Sequence, residues 1–140
     1  VGGPSAGLAF ALTIVDTLTQ GELTGGLSVA TTGTIDQYGN VGSVGAYAQK
    51  AEAAARSGID VFLVPPAGFS TVERIAAERF EVRCVSTFND AIIELSTLGG
   101  NGLEIAKNLK LPIPEKSDPI IDPNDGYLTC AEAITESENN

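Results

Sequence analysis

Ser5 is the residue on which a chemistry can be built. It stands in Gly2-Gly3-Pro4-Ser5-Ala6-Gly7, at the head of a long apolar run. Pro4 suits the first turn of a helix, where its missing N–H costs nothing. Ser5 is therefore expected in that first turn. The backbone N–H groups there have no intrahelical partner, and the positive end of the helix dipole lies beside them. Such surroundings favour a developing anion. They suit a nucleophilic hydroxyl with an oxyanion site, and equally a cradle for phosphate. A helix that simply begins Gly-Pro-Ser is the plain alternative.

The base for such a hydroxyl is constrained by a missing residue type. The chain contains no histidine. A Ser-His-Asp triad, a Cys-His pair and a His-ligated zinc are thus impossible within it. A carboxylate, a tyrosine or a lysine remains. Lys50 is the single lysine of the first 106 residues. A lysine at its ordinary pKa of about 10.4 is protonated at neutral pH. A lysine base therefore requires burial against apolar side chains. The alanines around Lys50 permit that burial; Glu52 and Asp36 oppose the role if they lie close. A solvated helix lysine is the plain alternative.

Residues 6–19 form a helix that is apolar nearly all round, as expected of one buried between a sheet and another layer. Residues 27–35 read as one strand, and residues 36–40 as a hairpin turn with Gly39 available for positive φ. A short strand at 41–44 follows. Gly45 opens an alanine-rich helix to about Ser57, and Gly58 closes it. Residues 61–64 form a strand buried on both faces, stopped by Pro65-Pro66. Ser70 and Glu73 form a capping box for a helix to about Arg79. A strand at 82–85 and a helix capped by Thr87 and Asp90 complete the pattern, with Phe88, Ala91, Ile92 and Leu95 as its apolar stripe. Alternating helices and strands from residue 45 to 98 are α/β wiring with a parallel pair.

Gly99-Gly100 breaks that alternation. Residues 99–126 hold Pro112, Pro114, Pro119 and Pro123 and read as an extended linker. Residues 127–138 read as a short acidic helix or as nothing stable. Leu111-Pro112-Ile113-Pro114 could meet a partner in extended form. The net charge of −10 argues against nucleic acid, because no basic patch exists to displace counterions. Cys84 and Cys130 are too far apart in sequence for a CxxC site, which leaves a disulfide open and makes a thiolate metal site unlike this pattern. Cys84 itself reads as a core residue. No apolar run approaches the roughly 20 residues that cross a bilayer. Opening on a helix cap, the chain is expected to be the C-terminal part of something longer.

Four features then fall in register with one family. Gly3-Pro4-Ser5-Ala6-Gly7, Thr32-Gly33 after a strand, Gly45 with Lys50 opening a helix, and Val64-Pro65 resemble the proteolytic domain of Lon proteases, from residue 2 to about residue 98. The resemblance implies an α/β fold in which a mixed sheet packs with helices, with further strands ahead of the serine. It covers a proteolytic portion at 1–98, and the composition beyond that portion reads as a Pro-rich acidic tail at 99–140, partly disordered. It implies that Ser5 is the nucleophile and Lys50 its base, with Thr32 beside the amine. Pro4, Ala6, Gly33 and Gly45 fall in the surrounding oxyanion and turn region. It implies protein or peptide substrates, no cofactor, no metal, and assembly into a homo-oligomeric ring.

Thr34-Ile35-Asp36 and Gly39-Asn40-Val41-Gly42 are more similar to the bacterial PDZ-containing Lon-like proteases. Those work without an ATPase, anchored in the membrane with the protease outside the cytoplasm; a cytoplasmic location is the alternative. No Gly-x-x-x-x-Gly-Lys-Ser/Thr occurs here. Two positions depart from the family: Gly2 stands where motor-bearing Lons often carry an acidic residue, and Ala46 replaces the second glycine before the lysine helix. Without the upstream strands, residues 1–140 alone are expected to be poorly active. Two other readings compete: a GHMP-type small-molecule kinase, and a degenerate Lon-like scaffold that binds peptides without cutting them.

Overall fold

A computed structural model describes residues 4–18, 22–116 and 128–139, without the side chain of Pro4. Its centre is the stretch Val61-Phe62-Leu63-Val64, which offers water no polar side chain. It forms β4 (Val61–Val64), and every residue in it is at most 2% exposed. β1 (Val29–Thr31) pairs with it on one side, Val29 opposite Val61 and Thr31 opposite Leu63. β5 (Glu81–Cys84) pairs on the other, Val61 opposite Glu81 and Val64 opposite Cys84. Both pairings are parallel, as the helix–strand alternation predicts. Between β1 and β4 the chain makes a small antiparallel ribbon, β2 (Thr34–Ile35) with β3 (Val41–Gly42), and then α2 (Tyr47–Arg56).

The pleat of β4 splits the core into two layers. Val61 and Leu63 face α1 (Gly7–Leu18) and α4 (Phe88–Thr97), against Leu8, Leu12, Ala91, Ile92 and Leu95. Phe62 and Val64 face α2, α3 (Pro66–Ala76) and α6 (Cys130–Glu138), against Ala51, Ala54, Phe69, Val72 and Ala133. Burying a side chain such as Leu63 contributes about 1.5–3 kcal/mol. The whole is a mixed α/β fold with helices on both faces of a parallel sheet.

Several elements depart from the sequence reading. The strand of residues 27–35 is two strands, broken at Thr32-Gly33. The apolar helix is half covered: Leu8 and Leu12 are buried, but Phe10, Ile14 and Leu18 are 59%, 57% and 78% exposed. Nothing among the described residues packs on that side. The helix after β4 does not wait for Ser70. Pro65 and Pro66 occupy its N-cap and first positions, so α3 begins there, and Ser70 and Glu73 lie inside it without a capping box. Thr87 does cap α4, its hydroxyl accepting from the Asp90 N–H at 3.1 Å.

The stretch read as an extended linker contains a helix, α5 (Gly102–Asn108). Leu103 packs from it against a core that includes Ile92 and Leu95, and Ala106 is buried. Beyond it, Lys116 pairs with Glu94, a carboxylate also held by Arg83 at 2.9 Å, so residues 109–116 are tied to α4. Pro119 and Pro123 lie outside the described residues. The acidic helix does form: α6 carries a capping box from Thr129 and Glu132. It is bonded covalently as well. Cys84, at the end of β5, and Cys130, the first residue of α6, form a disulfide with a Cα–Cα separation of 5.7 Å.

Two stability predictions follow from these placements. The disulfide spans 46 positions, and the chain-entropy account of cross-linking then gives about 4 kcal/mol. Cys84→Ser, or reduction by dithiothreitol, is expected to remove most of that in urea titrations; an unchanged midpoint would show that α6 adds nothing. Ala46, just ahead of α2, sits in the left-handed region at φ 60° and ψ 38°. That conformation costs a residue with Cβ about 1–2 kcal/mol, while glycine costs about 0.4–1 kcal/mol in chain entropy. Ala46→Gly should therefore stabilise by about 0.5–1 kcal/mol, raising the melting temperature by a few degrees.

Candidate active site

The break at Thr32-Gly33 is where the site assembles. Thr32 still belongs to the sheet, its N–H donating to the Leu63 carbonyl at 3.2 Å. Gly33 does not. Its φ of 142° turns the chain away, and a Cβ there would lie 2.5 Å from Val41 Cγ1, so glycine is required. The Gly33 N–H instead donates to the Ser5 carbonyl at 3.1 Å, and the Gly33 carbonyl accepts from the Leu8 N–H at 3.1 Å. These two bonds fasten the start of the first helix to the end of β1.

Ser5 lies within a 3-10 turn, Pro4–Ala6, that runs directly into α1. It is half-buried, and Ala6 beside it is buried. Gly7 lets the turn approach β2: a Cβ there would sit 2.9 Å from the Ile35 nitrogen. The sequence reading thus holds for the place of Ser5, at the mouth of a helix. Gly2 and Gly3 lie outside the described residues.

Lys50 arrives from the other side. It is half-buried on α2, and its Nζ donates to Thr32 Oγ1 at 3.2 Å. Thr32 is itself 3% exposed. Serine and lysine therefore converge on one dipeptide, Ser5 through its carbonyl to Gly33 and Lys50 through its amine to Thr32. No hydrogen bond joins the Ser5 hydroxyl to the Lys50 amine among the described residues. Gly45 is exposed, and a Cβ on it would meet nothing within 4 Å.

The carboxylates that could have neutralised Lys50 are engaged elsewhere. Glu52 meets Arg79 at 3.6 Å. Asp36 closes the hairpin, accepting from the Tyr38 and Asn40 N–H groups at 2.8 and 2.9 Å and from Asn40 Nδ2. Desolvation pushes the Asp36 carboxyl up, but the bonds from Asn40, Tyr38 and Gly39 together outweigh it and hold it below its ordinary value. The opposite holds for Glu73, which shares a hollow with Asp60, Glu78 and Glu81. Burial first, and the charge of Glu81 second, raise its carboxyl. A cleft of about 180 Å³ between α1 and β1, lined by Leu12, Asp16 and Thr31 among others, includes neither Ser5 nor Lys50. Among the described residues no cluster of His, Cys, Asp or Glu could hold a metal ion.

One contact at the candidate site had no sequence signal: the Leu63 carbonyl that fixes Thr32, since every residue carries a carbonyl and only the sheet register selects this one. The Thr-Gly step itself was visible, but only as part of a resemblance.

The chain resembles known proteins over residues 1–96. A Lon protease of Aster yellows witches'-broom phytoplasma (strain AYWB) is 33% identical over 96 residues, 66% of this chain; the match spans only 12% of that relative. The family model of the Lon protease (S16) C-terminal proteolytic domain matches residues 1–96, the stretch that carries Ser5, Thr32, Lys50 and the whole three-stranded sheet. The chain belongs to the Lon protease C-terminal proteolytic domain family.

Proposed function

We propose that this chain is the catalytic part of a serine endopeptidase, with Ser5 as nucleophile and Lys50 as general base. The observation that carries the reading is the 3.2 Å bond from Lys50 Nζ to Thr32 Oγ1, one residue from the amide that holds the Ser5 carbonyl. A base must be neutral to accept a proton and must lie within hydrogen-bond reach of it, a contact that often tightens only when substrate binds. In the free protein Thr32 keeps the amine directed toward the segment that anchors Ser5. With a peptide in place, the amine takes the Ser5 proton as the oxygen attacks the scissile carbonyl. Backbone N–H groups at the open end of the helix hold the resulting oxyanion. Lys50 then returns the proton to the departing amine, and water releases the acyl group by the same route reversed.

The finer assignment is to the PDZ-containing, ATP-independent branch, working outside the cytoplasm on protein or peptide substrates. Its support is the turn sequence at residues 34–42 and the Cys84–Cys130 disulfide, a bond typical of oxidising compartments. Assembly into a ring is part of the same proposal. The scaffold that binds peptides without cutting them draws on the missing Ser5–Lys50 bond and on the strain at Ala46.

The two readings separate in the full-length protein. Ser5→Ala should abolish peptide hydrolysis and labelling by a fluorophosphonate probe. Lys50→Ala should lower kcat by about 10²–10⁴-fold. Thr32→Val, which removes the acceptor for the amine, should cost about 10–100-fold. Peptide binding without turnover or labelling in the unaltered protein would instead establish the scaffold.

A further inference from the structure

The turn that launches the lysine helix lacks the usual means of fixing a helix start. Its N-cap residue, Ala46, makes no side-chain cap bond and is held in the left-handed region. Gly45 is exposed with open space around it. What holds this end is the next side chain. The Val44 N–H donates to Tyr47 Oη at 3.1 Å, closing the loop back on itself. The Tyr47 ring lies flush on Gly68 of α3, where a Cβ would overlap Tyr47 Cγ, Cδ1 and Cε1. Gly68 is buried, so the ring fills a slot that no other residue type at position 68 would leave.

Lys50 is one turn further along α2, and its N–H makes the first helical bond, to the Ala46 carbonyl at 3.1 Å. Residues 47, 50, 51 and 54 lie on neighbouring lines of the helix, and Ala51 and Ala54 are buried against the same cluster that holds Phe69 and Val72. A helix is stiff over one turn. A shift of the ring on Gly68 is therefore carried to the Lys50 Cα and multiplied along its side chain.

We propose that Tyr47 is a positioning residue for Lys50: the Val44–Tyr47–Gly68 contact sets the direction from which the amine reaches Thr32. Its catalytic meaning rests on the Ser5–Lys50 reading above, but the geometric claim does not. Tyr47→Phe keeps the ring and removes only the acceptor for Val44. Gly68→Ala keeps the tyrosine and displaces the ring.

In the full-length protein each change is expected to lower kcat about 10–100-fold with KM within about twofold, and with the melting temperature of Tyr47→Phe lowered by only a few degrees, as the loss of one part-buried bond requires. The double variant should be no worse than the worse single one, because both act through one contact. Crystal structures of Gly68→Ala give a second readout, the Lys50 Nζ–Thr32 Oγ1 separation. Lengthening from 3.2 Å to beyond hydrogen-bond reach, about 3.5 Å, supports the proposal whether or not the protein is a peptidase. Wild-type kcat in both variants, while Ser5→Ala and Lys50→Ala are inactive, would overturn it and leave the dyad standing. Full turnover in Ser5→Ala would overturn the dyad; the separation alone then decides Tyr47, and an unmoved 3.2 Å rejects it.

Discussion

Everything at the candidate site depends on two adjacent amides that point to different partners. The Thr32 N–H continues the parallel sheet by donating to Leu63, and the Gly33 N–H leaves it by donating to Ser5. One residue is thus fixed by the most buried strand of the molecule, and the next fixes the serine turn. An unmade bond of this kind at a buried amide costs about 1–3 kcal/mol, so neither partner drifts cheaply. Lys50 needs only a hydroxyl acceptor on that dipeptide to be brought into the same frame, and Thr32 supplies it. The rigidity of β4 becomes the precision of the site.

The sheet was legible because its strands advertise themselves. Val61-Phe62-Leu63-Val64 has no polar position, and the helices around it alternate with short apolar runs, so a parallel, doubly covered sheet was the economical solution. The break in the first strand was not legible. Thr32, Gly33 and Thr34 are all compatible with an extended chain, and what stops the strand is the φ of Gly33, which sequence periodicity does not encode. The start of α3 was misread for a related reason: Ser70 and Glu73 have the right spacing for a capping box, but a proline pair four residues earlier had already begun the helix.

The candidate site was legible in part through chemistry and in part through resemblance. The absence of histidine left lysine as the distinctive base, and the helix-opening serine was plain. Nothing in the residues alone brought Thr32 between them. The buried first helix was overstated because composition tells which side chains prefer to leave water, not which neighbour covers them: Leu8 and Leu12 found the sheet, while Phe10, Ile14 and Leu18 are exposed. The tail was understated. Proline content hid the helix of Gly102–Asn108, whose Ala106 is buried, and cysteine spacing left open the bond that holds α6 in place.

That bond changes what a cut in the chain looks like. Cys84 and Cys130 bracket α4, α5 and the proline-rich stretch after them. A single peptide bond hydrolysed anywhere between them yields two polypeptides that remain one covalent molecule. On a gel without thiol the nicked and intact proteins differ little in mass, and only reduction parts the fragments. A cut in that interval would pass unseen in any preparation kept oxidised, and would surface as two shorter bands once the disulfide is opened.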